Sequence, residues 1–438
     1  MVSVQYIFVD SQKEKAIELK DRLDYFKGKF DRELSIEIYI AQIEKKELDD
    51  LMRTLGDDRL PLRKPCMEGT RTTILQEIEN EIKNVQSPNM IWIRGSPGVG
   101  KSALAAGIAA RLRKQERHVI PFRFDRTRST TINTDALWRA VALDLARLYP
   151  SVRQHVLNTV QDDKVPDPSD INGRFEFLIE APLSTLHDVP CDKLPVIVID
   201  ALDECGGLRH DSSGKDDYKI LLHTLKHWVQ VDHLKRFKLV ITSRPEGQIG
   251  RIFPESISIH IAIPSGIEVK SGDSASQDIR TFFESRLNEM EMTPAWIAKA
   301  LDYLVYGAAG IFIWATTVAN FLEDGPEARF HILKSRKGGD DMKGMDDLFS
   351  LYTTVVRASL GQIPKEEVQG IVSVIGAMIY AKQPLSDDML MMLPGVKIGD
   401  SDVMRLIRKN LVSVVGSGPI LHFHHKSFDD YLLSPRIP

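Results

Sequence analysis

The sequence predicts an α/β core, a parallel sheet with helices on both faces, followed by a helical domain and a winged-helix domain and preceded by a helical N-terminal segment. Two observations carry that expectation. From residue 69 to about 263, short continuous apolar runs alternate with amphipathic helical stretches, the pattern of a parallel sheet covered on both sides. After Pro264 the strand-like runs stop and helical periodicity takes over, until three helices and an apolar hairpin pattern close the chain between residues 364 and 432.

Length and composition agree with several soluble domains. At 438 residues the chain exceeds what one hydrophobic core organises, since cores stop growing at roughly 250–300 residues. Hydrophobic content of 43% and charged content of 27% sit near globular averages. A net charge of −4 argues against nucleic acid as the main partner, because a phosphate-tracking surface shows as a basic excess. Cys66, Cys191 and Cys205 form no Cys-x-x-Cys pair, which fits a reducing compartment, the cytoplasm. The N-terminus lacks the basic n-region of a signal peptide. The longest apolar stretch, 307–322, contains Thr316, Thr317 and Asn320 and falls short of the roughly twenty residues a membrane span needs, so it reads as a buried helix.

In chain order, 11–55 is charge-rich with intermittent Ile17, Leu23, Phe26, Phe30 and Leu34, and suggests either a solvated helical hairpin or a homotypic or effector surface. Pro61 and Pro65 mark a linker over 59–67. Strands are expected at 90–93, 119–124, 196–199 and 239–242, then helices at 276–290, 294–322 and 341–360. The last unit reads as helices 366–380, 386–393 and 401–410, an apolar run 411–415, a turn at 416–419 and a second run at 420–423. The resulting boundaries are an N-terminal segment 1–60, a nucleotide-binding domain 61–263, a helical domain 264–360 and a winged-helix domain 361–438.

The chemistry centres on Gly95-Ser96-Pro97-Gly98-Val99-Gly100-Lys101-Ser102, which matches the phosphate-loop pattern G-x-x-x-x-G-K-[ST] between an expected strand and the helix former that starts at Ala103. Glycines let backbone N–H groups turn inward as an anion nest at a helix N-terminus. Lys101 is expected to neutralise the β- and γ-phosphates, and Ser102 to hold Mg2+. A second apolar run ends in Asp200, placed to join the Mg2+ shell, with Asp203 and Glu204 on the following turn to orient an attacking water. A third ends in Thr242-Ser243-Arg244, whose arginine reaches toward the γ-phosphate. Arg126 and Arg128 are weaker candidates, read more readily as surface arginines.

This combination, with Ala201 directly after the acidic strand end, resembles the NACHT domain of the STAND class of signalling NTPases. The wording is similar to fungal NACHT proteins: Cys66-Met-Glu-Gly-Thr-Arg71, "VIDALDEC", "ITSRPE", Gly310-Ile-Phe-Ile-Trp-Ala315 and "HKSF". The resemblance implies a P-loop NTPase core with helical and winged-helix domains, ATP/ADP and Mg2+ as cofactors, and slow hydrolysis. It also implies a switch between a closed ADP form and an open ATP form that forms a homo-oligomer. It implies an effector or sensor partner and signalling of the innate-immunity or cell-death type. The family histidine that contacts the β-phosphate of ADP falls on His425, with His424 pointing the other way. The family's Gly-Leu-Pro-Leu is replaced by Gly310-Ile311-Phe312-Ile313, which leaves GTP open beside ATP, and the usual C-terminal repeat sensor is absent from the sequence given.

Two other functions compete. One is a P-loop ATPase acting on nucleic acid, with Arg405, Arg408 and Lys409 on the recognition helix of the winged helix. The other is a small-molecule kinase, which leaves the winged helix without a role.

Overall fold

The computed structural model describes the 438-residue chain except residues 1, 130, 162–165, 168, 206–211, 246–248, 271, 336–344, 362, 382–384, 394–402, 417–419 and 435–438. Five strands, β1 (Met90–Gly95), β2 (Val119–Arg123), β3 (Val196–Asp200), β4 (Leu239–Ser243) and β5 (Ile259–Ile263), pair in parallel in the order β2-β3-β4-β1-β5. The first four lie where the apolar runs place them. The fifth is an addition, an edge strand that carries His260 in mid-run and leaves Ala262 exposed.

Side chains on successive strand residues point to opposite faces, and the cores divide accordingly. Met90, Trp92, Ile197, Ile199, Leu239 and Ile241 enter one core; Ile91, Ile93, Val196, Val198 and Val240 enter another. The second core is closed by α2 (Thr72–Lys83) and α3 (Lys101–Lys114). The first is closed by α4 (Thr134–Leu148), α5 (Pro150–Gln161), α6 (Ile171–Phe175), α7 (Ala181–Leu183), α8 (Ser212–Gln230) and α9 (Ile249–Ile252). With both faces covered, every described position of β3 and β4 is buried, which is why these strands read as unbroken apolar runs.

The N-terminal stretch is one continuous helix, α1 (Val2–Leu55), rather than a hairpin. It has no proline, and Gly28 sits mid-helix with nothing to reverse the chain. Its last turns dock: Leu51 and Leu55 join the first core, and Arg153 of α5 holds Glu44 at 2.7 Å and Glu47 at 3.1 Å. Farther upstream Leu19, Leu23, Phe26 and Phe30 are exposed. The linker with Pro61 and Pro65 has no regular secondary structure, as expected.

A third core gathers described residues from Ile279 to Tyr431. It is built by α10 (Ser274–Glu289), α11 (Pro294–Ala308), α12 (Phe312–Leu322), α13 (Pro326–Ser335), α14 (Met345–Leu360), α15 (Lys365–Tyr380), α16 (Asp387–Met391), α17 (Val403–Asn410) and α18 (Lys426–Leu432). The single helix expected over 294–322 is two, because Ala309 (φ 44°) and Gly310 (φ 79°) turn left-handed. A Cβ at Gly310 would lie 2.8 Å from Val269 and 3.0 Å from the Pro264 carbonyl, so the bend needs glycine on both counts. The bend aims the start of α12 at the loop after β1. The helix α13 is an addition, and positions 341–344 of the next expected helix lie outside the described residues. The expected hairpin is reduced to an antiparallel bridge, Val415 to Phe423, flanked by Gly416 N–H to His422 O (2.8 Å) and His424 N–H to Val414 O (2.9 Å). Of its expected turn, 417–419 lies outside the described residues.

Candidate nucleotide site

Residues Gly95, Ser96, Pro97, Gly98, Val99 and Gly100 bridge β1 to α3, and Lys101, Ser102 and Ala103 form the first turn of that helix. Gly98 (φ 79°) and Gly100 (φ 94°) are both left-handed. The backbone of α12 closes on the loop: Ile313 donates its N–H to Gly98 O at 3.0 Å, and a Cβ at Gly98 would fall 2.0 Å from the Ile313 side chain. Ser265 reaches Ser96 Oγ at 3.0 Å. The Lys101 ammonium donates to Gly95 O (2.8 Å) and Ser96 O (3.0 Å) at the mouth of the loop. Burial pushes it down to about 8, against the pull of Asp203, Asp200 and Glu204.

The acids stand where β3 ends. Asp200 is fully buried, and its Oδ1 accepts from Thr242 Oγ1 at 2.5 Å. The same Thr242 oxygen accepts the Ala201 N–H at 2.9 Å, and Ala201 is left-handed (φ 58°), which turns the chain so that Asp203 and Glu204 come back over the strand ends. Burial raises the Asp200 carboxyl, partly offset by the hydroxyls of Thr242 and Ser102. Its Oδ2 is buried with no hydrogen-bond partner among the described residues. A bare carboxylate oxygen beside a serine hydroxyl is the donor set a hard cation such as Mg2+ takes, so these residues fit that ion.

Arg244, directly after β4, is half-way to a cluster of its own. Its N–H donates to Asp203 Oδ1 at 3.2 Å, its Nε lies 3.4 Å from Asp203 Oδ2, and its Nη2 donates to Asp430 Oδ2 at 2.9 Å. Asp430 belongs to α18, so the end of the chain sits on the strand ends. Lys426, one turn earlier, lies 3.9 Å from Asp203 and 3.7 Å from Glu204. Arg126, the weaker candidate, donates its backbone N–H to Glu204 at 3.2 Å and places Nη1 4.0 Å from Asp430. Arg128 is exposed, and its carbonyl accepts the N–H groups of Thr131 and Ile132.

His425 is the N-cap of α18. Its Nδ1 accepts the Ser427 N–H at 3.0 Å, and since a backbone N–H can only donate, the ring proton sits on Nε2. Ser427 Oγ lies 2.8 Å from Nδ1 and 2.7 Å from the Tyr352 hydroxyl of α14, which anchors the imidazole from behind. Burial, followed by the cations of Arg63, Lys101, Arg244 and Lys426, holds His425 down to about 3, a neutral ring in a cationic setting. His424 turns away as expected, its Nε2 at 2.8 Å from Val412 O.

Next to this contact, burial and Asp430 push the Asp429 carboxyl up to about 7, and its Oδ1 has no hydrogen-bond partner among the described residues. Above its usual range near 3.8 the folded carboxyl keeps a proton that the unfolded chain has lost. Stability from this group therefore falls as pH rises from about 4 to 7 and stays at its floor above 7. Asp429→Asn, permanently neutral, is expected to match the parent near pH 4 and to be more stable by ~1–2 kcal/mol at pH 8, read from melting temperatures across that range. A difference that does not grow with pH would remove Asp429 as the titrating group.

The sequence gives no individual role in this site to Thr242, Lys426, Asp430 or Arg71, although Thr242 and Arg71 stand inside motifs quoted above. Lys426 and Asp430 stand four apart on a short helix, a spacing that puts them on one face and was visible in the sequence. Arg71 is buried and left-handed (φ 57°); it donates Nη2 to Val99 O at 2.9 Å, its N–H to Asp278 of α10 at 2.9 Å, and stacks 4.9 Å over the Phe312 ring. It thus ties the loop to α10 and α12.

Residues 69–244 match the family model of Nephrocystin 3, N-terminal. The chain is 24% identical over 363 residues to vegetative incompatibility protein HET-E-1 of Podospora anserina, a match that covers 78% of this chain and 24% of that protein. Among solved structures, it is similar to a Signal Transduction ATPase with Numerous Domains with a tetratricopeptide repeat sensor from Pyrococcus horikoshii (TM-score 0.43, 15% identity, 86% of this chain and 44% of that one). It is also similar to Cdc6p from Pyrobaculum aerophilum (TM-score 0.35, 12% identity, 87% of this chain and 96% of that one). With the phosphate loop, the acidic strand end and the arginine after β4 gathered on one sheet edge, and with the match to the fungal protein over most of this chain's length, the chain is similar to NACHT-type STAND NTPases.

Proposed function

We propose that the protein is a nucleotide-dependent switch, closed with ADP and open and homo-oligomeric with ATP, reset by slow Mg2+-dependent hydrolysis. The observation that carries this reading is α18, which belongs to a separate core yet pairs Asp430 with Arg244 and Lys426 with Asp203 and Glu204, with His425 half-buried at its N-cap. A helix seated on the strand ends from a separate core is positioned to respond to what the site holds. In this reading Lys101 and the backbone of the loop bind the phosphates, Ser102 and Asp200 hold the metal, and Asp203 and Glu204 orient water. Arg244 meets the terminal phosphate, and His425 donates Nε2–H to the diphosphate. A Mg2+ ion held by Ser102 and Asp200 would supply Lewis-acid stabilisation to the phosphate oxygens. ATP is the proposed ligand, with GTP not separated from it by any residue here.

The units proposed to move are 61–263 against 264–360 and a winged-helix unit 361–438. Signalling of the innate-immunity or cell-death type, through an effector or sensor protein, is supported by the vegetative incompatibility named for the fungal relative. Free Cys66, Cys191 and Cys205 support the cytoplasm, and no helix among the described residues is long and apolar enough to cross a membrane. The nucleic-acid reading loses ground, since Arg408 of its recognition helix is held by Asp387 at 2.7 Å.

The test is to identify the nucleotide that co-purifies and to measure mass in solution with ADP and with a non-hydrolysable ATP analogue. A monomer with ADP and a larger assembly with the analogue are expected. A monomer under both conditions overturns the switch.

A further inference from the structure

Helix α18 places opposite charges over the hydrolytic end of the sheet. Lys426 lies over the acids Asp203 and Glu204, and Asp430 lies over the arginines Arg244 and Arg126. Lys426 and Asp430 each meet their complement, so the contact is selected by sign as well as by shape. The register of β1 with β4 pairs Arg94 with Ser243, which leaves Arg244 level with Gly95, the first residue of the phosphate loop. Arg244 is only 13% exposed, and Asp430 is the carboxylate its Nη2 bonds, at 2.9 Å. An arginine fork takes a carboxylate or a phosphate with the same geometry. One guanidinium face cannot serve both.

We propose that Asp430 sets the preference of the site for a nucleoside diphosphate over a triphosphate, by engaging Arg244 with a carboxylate where a terminal phosphate would engage it. The inference rests on the nucleotide-switch reading and adds the residue that makes the closed form selective. A diphosphate leaves the Asp430 contact in place. A triphosphate must displace Asp430 from Arg244, and Lys426 leaves the acids with it because both side chains stand on one helical face. Specificity is then a difference of two affinities, with the penalty falling on one ligand only.

The experiment measures the affinities of the full chain for ADP and for a non-hydrolysable ATP analogue, with Mg2+ present, in the parent and in Asp430→Asn. The isosteric amide removes the charge and is expected to improve triphosphate binding relative to diphosphate by roughly tenfold, the scale of one charge-assisted contact. Asp430→Ala should move the ratio the same way and serves if the amide variant folds poorly. In an Arg244→Ala background the same substitution should leave the ratio unchanged. If Asp430 is only a structural ion pair, both affinities change alike, and that result overturns the inference while leaving the switch standing. A ratio that still shifts without Arg244 overturns it too. A parent chain that binds neither nucleotide sinks the switch itself, and this inference with it.

Discussion

Lys101→Ala is expected to lose the nucleotide-induced rise in melting temperature almost completely. In the parent, ligand at about a hundred to a thousand times Kd adds roughly 2.7–4.1 kcal/mol to folding stability. Lys101 is the ammonium at the loop mouth, fixed by Gly95 O and Ser96 O. Around it stand Asp200, Asp203 and Glu204, whose charges favour its cationic form. Without the lysine, these three acids face the incoming phosphates with one counter-charge fewer, so the loss exceeds that of a single hydrogen bond. The same argument gives a pH dependence. With Lys101 held near 8, the parent's nucleotide shift should weaken as pH rises above about 8, where the free ammonium loses its proton. A Lys101→Ala protein whose melting shift equals the parent's would remove the phosphate-loop assignment.

How far the sequence discloses this site follows from how local each signal is. The strands β1, β3 and β4 are unbroken apolar runs because both faces of the sheet are covered, and the loop after β1 is a contiguous pattern. Both are legible within a dozen residues. β5 is less so, because an edge strand tolerates His260 and an exposed Ala262. The break between α11 and α12 hides inside an apolar stretch, and only the backbone at Ala309 and Gly310 reveals it. For the stretch 11–55 a helical hairpin is one of two readings, yet α1 runs on as a single helix. Its continuity instead reflects the lack of any residue pair that reverses a chain. The charges of Lys426 and Asp430 were visible, but their partners lie about two hundred residues earlier, on strand ends that only the folded chain brings near. Long-range electrostatic pairing leaves no periodicity to read.

His425→Ala is expected to weaken ADP binding by roughly tenfold and to raise the assembled fraction, whereas His424→Ala is expected to do neither. The asymmetry is built into the hydrogen bonds. His425 spends Nδ1 on the Ser427 N–H, so Nε2–H is its remaining donor, and the half-buried ring feels the positive charges of Arg63, Lys101 and Arg244. Its removal takes away that donor and also the cap of α18, which costs about 1 kcal/mol at a helix N-terminus. Both losses fall on the closed form. His424 instead spends Nε2 on Val412 O and its backbone on Val414, contacts that stitch the hairpin and never face the loop. Its alanine variant should lose a little thermal stability and keep ADP. Because His425 is held near 3, it stays neutral from pH 5 to 8, so the contrast between the two variants should not change across that range. Size-exclusion chromatography with light scattering, together with ADP titration at pH 6 and pH 8, separates the outcomes. Loss of ADP in the His424 variant with retention in the His425 variant would place the latch on the other ring.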